Sequence, residues 1–238
     1  MHAVILGKDA GTPTFVLVHG LGMSSRYMMP TAELLAMHGR VVVPDLPGFG
    51  RSGKPRHTLS IAELSDALAA WMEEMELGAS VLIGNSLGAQ VIADLAVRHP
   101  ERLECAVLVG PTIDPEARGI FIQIFRLLLD ILREPTGIFW IGLTDYFRAG
   151  FVRMLRTLRL ALLDPIAEKL PLIRIPVLVI RGGRDPIVPQ PWVEQAARLI
   201  PQGRWLTLPA AAHAVNFNAP DALVEEVLKF LRQEGAAD

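Results

Sequence analysis

The segment Gly84–Gly88, with the sequence GNSLG, places a serine between two pairs of residues that each contain a glycine. It follows the apolar run VLI and precedes a helical pattern, the strand–turn–helix context in which such a serine is held outward as a nucleophile. Glycine is favoured two residues to either side, because larger side chains would collide with the neighbouring strand and helix. The segment predicts that Ser86 is a nucleophile at the carboxyl end of a strand.

A serine hydroxyl needs a base to accept its proton, and a histidine base needs a carboxylate to orient it. His213 lies in the loop that follows the strand-like run RWLTLP, and Asp185 directly follows the run PVLVI. Both are expected at the same sheet edge as Ser86, in the chain order serine, acid, histidine. Asp114 also follows a strand and is the alternative acid, whereas His19 is better placed to brace a loop.

The segment HGLG (19–22) follows another apolar run, TFVLV. Its glycines allow the backbone to bend close to the reaction site. The backbone N–H groups of Leu21 and Leu87 are candidates for the pair of donors that stabilises a tetrahedral oxyanion. These groups together predict acyl-transfer chemistry that requires neither a metal nor an organic cofactor.

The stretch DLPGFGRSGKP (45–55) contains a G-x-G-x-x-G pattern that suggests a nucleotide site. In nucleotide sites the glycines open a helix, but here Pro55 follows and the next helix is expected only near Ser60. Pro55 also occupies the place where a phosphate-binding loop requires serine or threonine. We therefore expect no nucleotide, and interpret the stretch as a tight turn that Asp45 braces beside the active-site face.

The elements that must position these residues alternate between strands and helices. Continuously apolar runs, typical of strands buried on both faces, occur at 14–20, 40–46, 79–86, 103–110, 176–183 and 204–209, with a candidate edge strand at 4–7. Helical patterns lie between them at 28–38, 61–75, 87–99, 194–200 and 222–231. This alternation predicts an α/β fold with a doubly wound, mostly parallel sheet of about seven strands.

Residues 113–170 break the alternation, because they contain several helical patterns and no convincing strand. We predict a helical cap at 113–170, inserted into a core formed by 1–112 and 171–238. Within 119–133 the residues Gln123, Arg126, Asp130 and Arg133 form one narrow polar stripe on an otherwise apolar helix. Such a helix is expected to bury most of its circumference or to face an apolar ligand.

Apolar side chains of this cap are candidates for a substrate pocket, although packing between helices would also explain any one of them. The candidates are Phe121, Phe125, Leu128, Phe139, Trp140, Phe147 and Phe151. The cap is also rich in arginine, which solvated helix faces would mostly explain. One arginine could instead pair with a carboxylate of the substrate.

Length, composition and charge indicate the size of the domain and the classes of partner that the chain can bind. A chain of 238 residues that is 51% hydrophobic can bury a sizeable core as one large domain. The net charge of −2, without a basic stripe, gives no support for nucleic-acid binding. Charges interrupt the apolar region 119–143, so stable membrane insertion is not expected. A single cysteine, Cys105, and an N-terminus unlike a secretory signal favour a cytoplasmic protein, either a monomer or a homodimer.

Five segments together resemble the motifs of α/β-hydrolase-fold serine hydrolases of the single-domain, lidded esterase type. They are HGLG (19–22), DLPGFGRS (45–52), GNSLGA (84–89), GRDPIVP (183–189) and AAAHAVNF (210–217). The resemblance implies hydrolysis of small to medium apolar esters, thioesters or lactones, with Ser86 as nucleophile, His213 as base and Asp185 as orienting acid. It also implies a shortened N-terminal hairpin, since only 18 residues precede His19.

Other members of this fold family define the alternatives. Asn85 before the serine resembles hydrolases that cleave carbon–carbon bonds of ring-fission products, but Ala214 stands where those enzymes often have tryptophan. Ser86 disfavours epoxide hydrolases and haloalkane dehalogenases, which use an aspartate nucleophile. Cofactor-free haloperoxidases share the triad, so perhydrolysis is a possible side activity. A small-molecule receptor with this fold is the remaining alternative, which the intact Ser86, Asp185 and His213 disfavour.

Overall fold

The computed structural model describes residues 1–8, 13–117 and 119–235, and strands and helices alternate over most of this length. The strands are β1 Ala3–Leu6, β2 Thr14–Val18, β3 Arg40–Pro44, β4 Ser80–Asn85, β5 Leu103–Val109, β6 Val177–Gly182 and β7 Gly203–Leu208. The helices are α1 Ser25–Leu35, α2 Ile61–Glu74, α3 Leu87–Arg98, α4 Ile120–Ile131, α5 Thr136–Ala149, α6 Phe151–Leu163, α7 Ile166–Lys169, α8 Gln190–Leu199, α9 Val215–Asn218 and α10 Pro220–Glu234.

The seven strands form one sheet in the order β1-β3-β2-β4-β5-β6-β7. Strand β1 is antiparallel to β3, and every other pairing is parallel. The prediction of a mostly parallel sheet of about seven strands is confirmed. Strand β2 lies between β3 and β4, so the chain changes direction across the sheet there. Open α/β sheets bind ligands at the carboxyl ends of the strands at such a switch point.

The core lies on both faces of the sheet, which explains why the strands are continuously apolar. Alternate residues of β2 face opposite sides, with Val16 and Val18 in one buried cluster and Phe15 and Leu17 in the other. Helices α2, α3 and α8 cover the first side, and α1 and α10 cover the second. Cys105 in β5 is buried, as predicted, and this burial raises the pKa of its thiol to about 12.

Local signals located most of the core helices. The Ser60 hydroxyl accepts a hydrogen bond from the Glu63 N–H at 3.3 Å, and Glu63 Oε2 accepts one from the Ser60 N–H at 2.8 Å. This capping box starts α2 where the sequence predicts it. Helix α1 begins at Ser25, three residues before the predicted start at Met28. Pro30 lies inside it, and a proline in a helix interior obscures the preceding turn in a sequence-based prediction.

Helices α4 to α7 lie between β5 and β6, and no strand occurs among the described residues of 113–170. We call residues 113–170 the insertion. Among the helices that the structure describes, none has the length and apolar character needed to cross a bilayer.

Helix α4 has the opposite orientation to the one that its sequence suggests. Gln123 and Asp130 of the polar stripe are buried, whereas Phe121 is 85% and Leu132 is 82% exposed. The expectation that the apolar circumference would be buried is therefore wrong. The polar stripe turns inward because the loops beneath it supply its hydrogen-bond partners: Arg126 donates to the Ile187 carbonyl at 3.1 Å and Gln123 donates to the Ala117 carbonyl at 2.6 Å.

Candidate active site

Ser86 occupies a strained turn between β4 and α3. Its backbone has φ 56° and ψ −115°, a left-handed φ that non-glycine residues rarely adopt. A Cβ atom on Gly84 would lie 2.6 Å from the Gly88 carbonyl, and one on Gly88 would lie 2.3 Å from the Val18 carbonyl oxygen. Both contacts are too close for a side chain, so the two glycines allow β4, β2 and α3 to approach at this turn.

His213 and Asp185 form a buried pair at the carboxyl edge of the sheet. The distance from His213 Nδ1 to Asp185 Oδ2 is 2.7 Å. The other oxygen of Asp185 accepts hydrogen bonds from the N–H groups of Ile187 at 2.7 Å and Val188 at 3.0 Å. The loop after β6 thus holds the carboxylate rigidly, and the carboxylate in turn orients the imidazole.

The second ring nitrogen of His213, Nε2, is not engaged by Asp185, which contacts Nδ1. His213 and Ser86 line one cavity. His213 Nε2 is buried and has no hydrogen-bond partner among the described residues, so the Ser86 hydroxyl is not bonded to it in this structure. Serine–histidine contacts are often long without substrate and tighten when substrate binds.

The electrostatic surroundings of His213 favour its protonated form. Burial lowers the pKa of His213, but the negative charges of Asp185, Asp130 and Glu134 outweigh it and raise the pKa to about 9. Asp185 contributes most of this increase, because it also accepts a hydrogen bond from the ring. These negative charges stabilise the imidazolium that forms when His213 accepts a proton.

Leu21 and Leu87, the candidate oxyanion residues, line the same cavity as Ser86. Leu87 is the first residue of α3, and a first-turn N–H has no partner within its own helix. The positive end of the helix dipole adds to the attraction for negative charge there. Leu21 follows Gly20, and a Cβ atom on Gly20 would lie 3.4 Å from the Ser86 Cβ, so this loop passes directly beside the serine.

The structure separates the other candidate residues from the proton-transfer site. Asp114 accepts a hydrogen bond from the Glu116 N–H at 3.0 Å and lies 3.6 Å from Arg126, so it is engaged away from His213. The buried His19 contacts the Gly20 carbonyl through Nδ1 at 2.8 Å and accepts from the Leu46 N–H through Nε2 at 3.0 Å. Burial lowers the pKa of His19, which keeps it neutral in this bracing role.

Asn85 connects the nucleophile turn to the histidine loop. Its side-chain oxygen accepts a hydrogen bond from the Tyr27 hydroxyl at 2.9 Å, and its side-chain amide donates to the His213 carbonyl at 3.0 Å. The residue before the serine therefore has a structural task that does not depend on substrate. An asparagine at this position therefore does not by itself indicate carbon–carbon bond cleavage.

The cavity above Ser86 measures about 250 Å³. Its walls are mainly apolar and come from the core loops and from the insertion. Side chains of the insertion on the wall include Leu127, Ile131, Ile138, Phe139, Leu143 and Leu158. The size and apolar lining are typical of a site for a small organic molecule.

Most of the predicted pocket residues lie elsewhere. Phe139 lines the cavity, whereas Phe121, Phe125, Leu128, Trp140, Phe147 and Phe151 do not and are between 56% and 85% exposed. The prediction that these six residues line the pocket is therefore wrong. Because the polar stripe of α4 faces inward, Leu127 and Ile131 next to that stripe reach the cavity instead.

Several polar residues of the cavity were not predicted as site residues. Tyr27, Asp130 and Glu134 line it together with Ser86 and His213. Burial raises the pKa of the Asp130 carboxyl to about 7, even though the positive charge of the nearby His213 opposes this increase. Asp130 belongs to the polar stripe visible in the sequence, but that stripe alone does not indicate whether it faces solvent or the site.

The glycine-rich turn at 45–55 has the bracing interactions expected of it. The buried Asp45 accepts hydrogen bonds from the N–H groups of Ser25 at 2.6 Å and Arg51 at 2.8 Å. Gly50 has a positive φ of 51°, and a Cβ there would lie 2.4 Å from the Asp45 carboxyl. The glycines thus serve a tight turn, as predicted from the following proline.

The relatives of the chain agree with this architecture. The chain is 30% identical to a dihydrolipoyllysine-residue acetyltransferase component of an acetoin-cleaving system from Pseudomonas putida, over 96% of this chain and 65% of that protein. It is 29% identical to RutD of Agrobacterium fabrum, over 97% of this chain and 98% of RutD. The crystal structure of an enol-lactonase from Burkholderia xenovorans LB400 superposes with a TM-score of 0.81 at 23% identity, covering 97% of this chain and 96% of that one. Residues 15–226 match the alpha/beta hydrolase family, and the chain therefore belongs to that family of hydrolases.

Proposed function

We propose that this hydrolase cleaves carboxylic esters through an acyl-enzyme on Ser86. The observation that carries the proposal is the placement of His213. Its Nδ1 lies 2.7 Å from Asp185, its Nε2 has no hydrogen-bond partner among the described residues, and the residue lines the same cavity as Ser86. A serine on a strained turn beside an oriented imidazole is the arrangement needed to activate a hydroxyl nucleophile.

The proposed reaction has two stages. The Ser86 hydroxyl attacks the ester carbonyl while His213 Nε2 accepts its proton, and the N–H groups of Leu21 and Leu87 stabilise the oxyanion. Asp185 holds the imidazole and stabilises its protonated form. The alcohol leaves with the proton from His213, and a water molecule, deprotonated by His213, then hydrolyses the acyl-enzyme.

The cavity supports an apolar substrate of small to medium size. Its volume of about 250 Å³ and its aliphatic and aromatic walls suit esters, thioesters or lactones with short to medium acyl groups. Asp130 and Glu134 add two carboxyl groups to this mainly apolar lining.

The same wall disfavours the carbon–carbon bond hydrolase alternative that pairs an arginine with a substrate carboxylate. Among the described residues that line the cavity there is no arginine or lysine to pair with a substrate carboxylate. Arg126 and Arg133 donate to the backbone carbonyls of Ile187 and Arg184 instead. The receptor alternative differs from the proposal in turnover, which can be measured directly.

The test is a series of p-nitrophenyl esters, from acetate to laurate, assayed with the wild type and Ser86→Ala. We expect turnover by the wild type with short to medium chains, and a loss of at least about a thousandfold in kcat for Ser86→Ala. A fluorophosphonate probe followed by mass spectrometry should label Ser86 in the wild type.

Ser65→Ala is the matched control for this experiment. Ser65 is buried in α2, outside the cavity, and its hydroxyl has no hydrogen-bond partner among the described residues, so the substitution should preserve activity. Full activity of Ser86→Ala would refute the mechanism. Stoichiometric probe labelling without turnover of any ester would favour a receptor, whereas turnover of a dienone ring-fission substrate alone would favour carbon–carbon cleavage.

A further inference from the structure

Exposed apolar side chains are concentrated on the insertion. Of the 19 large apolar residues that are exposed in the described part of the chain, 14 lie within 119–163. Monomeric soluble proteins rarely expose contiguous apolar surface on this scale without a partner. This concentration therefore indicates that the outer side of the insertion contacts something other than water.

Each of the three long helices of the insertion has its own exposed apolar stripe. On α4 the stripe contains Phe121, Phe125 and Leu128, and Leu132 continues it just beyond the helix end. On α5 it contains Phe139, Trp140, Leu143 and Phe147, and on α6 it contains Phe151, Val152, Leu155 and Leu163. At 3.6 residues per turn, the members of each stripe fall within an arc of about 120° on one side of their helix.

The charged residues of 119–163 are distributed unequally between buried and exposed positions. Residues 119–163 include six arginines but only three acidic residues, Asp130, Glu134 and Asp145. Asp130 and Asp145 are buried, and Glu134 accepts a hydrogen bond from the Ala214 N–H at 2.7 Å. Among the described residues of this segment, the exposed charged side chains are therefore arginines: Arg133, Arg148, Arg156 and Arg159.

A basic groove adjoins the apolar stripe of α6. It has a volume of about 340 Å³ and is bordered by Phe151 and Val152. Four cationic side chains line it, and the described lining contains no acidic residue; the cations are Lys54, Arg56, Arg153 and Arg156. A groove with this charge suits a phosphate group, while the two apolar residues at its border suit a hydrocarbon chain.

We propose that the outer side of the insertion docks on an anionic phospholipid surface. The apolar stripes of α4, α5 and α6 would lie at the level of the acyl chains, with the helices in the plane of the interface. The basic groove would receive the phosphate of a lipid headgroup, and Arg148 and Arg159 would add long-range attraction. Docking of this kind is peripheral and requires no helix that spans the bilayer.

Charge also disfavours a second copy of this chain as the occupant. In a two-fold symmetric dimer the same patch meets itself, so the arginines of one insertion would approach those of the other. No exposed acidic side chain of the described insertion segment 119–163 is available to compensate this repulsion. An anionic lipid surface satisfies both the apolar stripes and the positive charge.

The apolar stripes lie next to the opening of the cavity, so docking on a lipid surface would affect how substrate reaches Ser86. Ile131 and Phe139 line the cavity above Ser86 and are also 44% and 50% exposed, which places them at its opening. The opening is thus continuous with the apolar stripes of α4 and α5. A lipophilic compound dissolved in the bilayer could reach the cavity without crossing water.

The test is partition of the full chain onto vesicles of phosphatidylcholine with or without about 30 mol% phosphatidylglycerol. We expect recruitment to the anionic vesicles and much weaker recruitment to the neutral ones. Phe121→Ser/Phe147→Ser should reduce the partition coefficient about tenfold through the loss of buried apolar area. Arg56→Gln/Arg156→Gln should reduce it by a similar factor, and salt should reduce it in the wild type.

Matched controls distinguish the apolar stripes and the basic groove from nonspecific hydrophobic or electrostatic binding elsewhere on the surface. Met37→Ser/Leu172→Ser removes exposed apolar residues outside the stripes, and Arg174→Gln/Arg232→Gln removes the same charge at other exposed sites. Both should partition like the wild type, and thermal unfolding should show that all four variants are folded. These measurements do not depend on ester hydrolysis.

Three outcomes would overturn the proposal. The first is failure of the wild type to bind anionic vesicles. The second is a dimer in light scattering that Phe121→Ser/Phe147→Ser dissociates without any vesicle binding, which would assign the patch to a second copy. The third is saturable binding of inorganic phosphate in the basic groove with no dependence of vesicle partition on phosphatidylglycerol, which would assign that groove to a soluble anion.

Discussion

At the scale of single residues, the turn around Ser86 depends on the absence of two side chains. Gly84 and Gly88 lie so close to neighbouring backbone that a methyl group has no space, while Ser86 between them has a left-handed backbone conformation. The strain at the serine is maintained by the packing of β4, β2 and α3. Steric demand of this kind is local, which is why the motif can be recognised without a structure.

Gly88→Ala should therefore disrupt both stability and activity. The new methyl group would lie 2.3 Å from the Val18 carbonyl oxygen, so either β2 or α3 must shift. We expect the free energy of unfolding to fall by about 1–3 kcal/mol, and esterase activity to fall with the displacement of Ser86. Urea denaturation measures the first effect. Gly53→Ala is the control, because a Cβ at Gly53 meets no atom within 4 Å, and equal stability of the two variants would contradict the steric explanation.

The charge around His213 predicts the pH dependence of ester hydrolysis. A protonated His213 cannot accept the proton of Ser86, so kcat/KM should rise with pH as the imidazole deprotonates, with an apparent pKa of about 9. Asp130→Asn removes one of the negative charges that raise the pKa of His213, and should shift this rise to lower pH. Measurement of kcat/KM between neutral and alkaline pH, corrected for spontaneous hydrolysis, checks both statements.

Asp66→Asn is the control for the pH profile. Asp66 is a surface acid that pairs with Arg98 at 2.6 Å, and it does not contribute to the pKa of His213. Its substitution should leave the profile unchanged. A profile that is the same in wild type and Asp130→Asn would show that Asp130 does not act on His213.

At the scale of elements, the insertion is fastened to the core by polar contacts of α4 and of the residues just after it. Arg126 and Arg133 bind carbonyls of the loop that carries Asp185, and Glu134 binds the loop that carries His213. Helix α4 and the residues just after it therefore cover the cavity and support both loops. The sequence suggests that α4 buries its apolar face, but the structure buries its polar stripe and exposes much of the apolar face. This is the largest difference from the sequence-based expectation.

Glu134→Ala should loosen this connection. Glu134 accepts hydrogen bonds from the Ala214 N–H at 2.7 Å and the Asn218 side-chain amide at 2.8 Å. Loss of the carboxylate leaves two donors without their partner and should lower the free energy of unfolding by about 1–3 kcal/mol. Hydrogen exchange should become faster in α4 and around His213, without a comparable change in α2.

Glu134→Gln tests whether hydrogen bonding or charge is responsible. An amide oxygen can still accept one of the two hydrogen bonds, so this variant should recover part of the stability. If Glu134→Ala is as stable and as protected from exchange as the wild type, Glu134 does not fasten the insertion to the histidine loop.

At the scale of the whole molecule, the sheet positions the loops of the candidate active site and the insertion covers them. The sheet brings the turns after β2, β4, β6 and β7 to one edge, so residues as distant in sequence as Leu21 and His213 line the same cavity. The insertion closes that edge with an apolar wall and presents a cationic, apolar surface outward. The proposed lipid-docking stripes of α4 and α5 therefore adjoin the opening of the cavity in which catalysis is proposed.

The sequence by itself determined the order of the strands and helices, the mostly parallel sheet, and the turns that carry Ser86, Asp185 and His213. These features depend on short-range rules: apolar runs for buried strands, a capping box at Ser60, and glycines where the backbone leaves no space. Only the tertiary structure decided which side of α4 faces the cavity. A polar stripe defines the two sides of a helix, but the choice between them depends on partners such as the Ile187 and Arg184 carbonyls, which are far away in the chain.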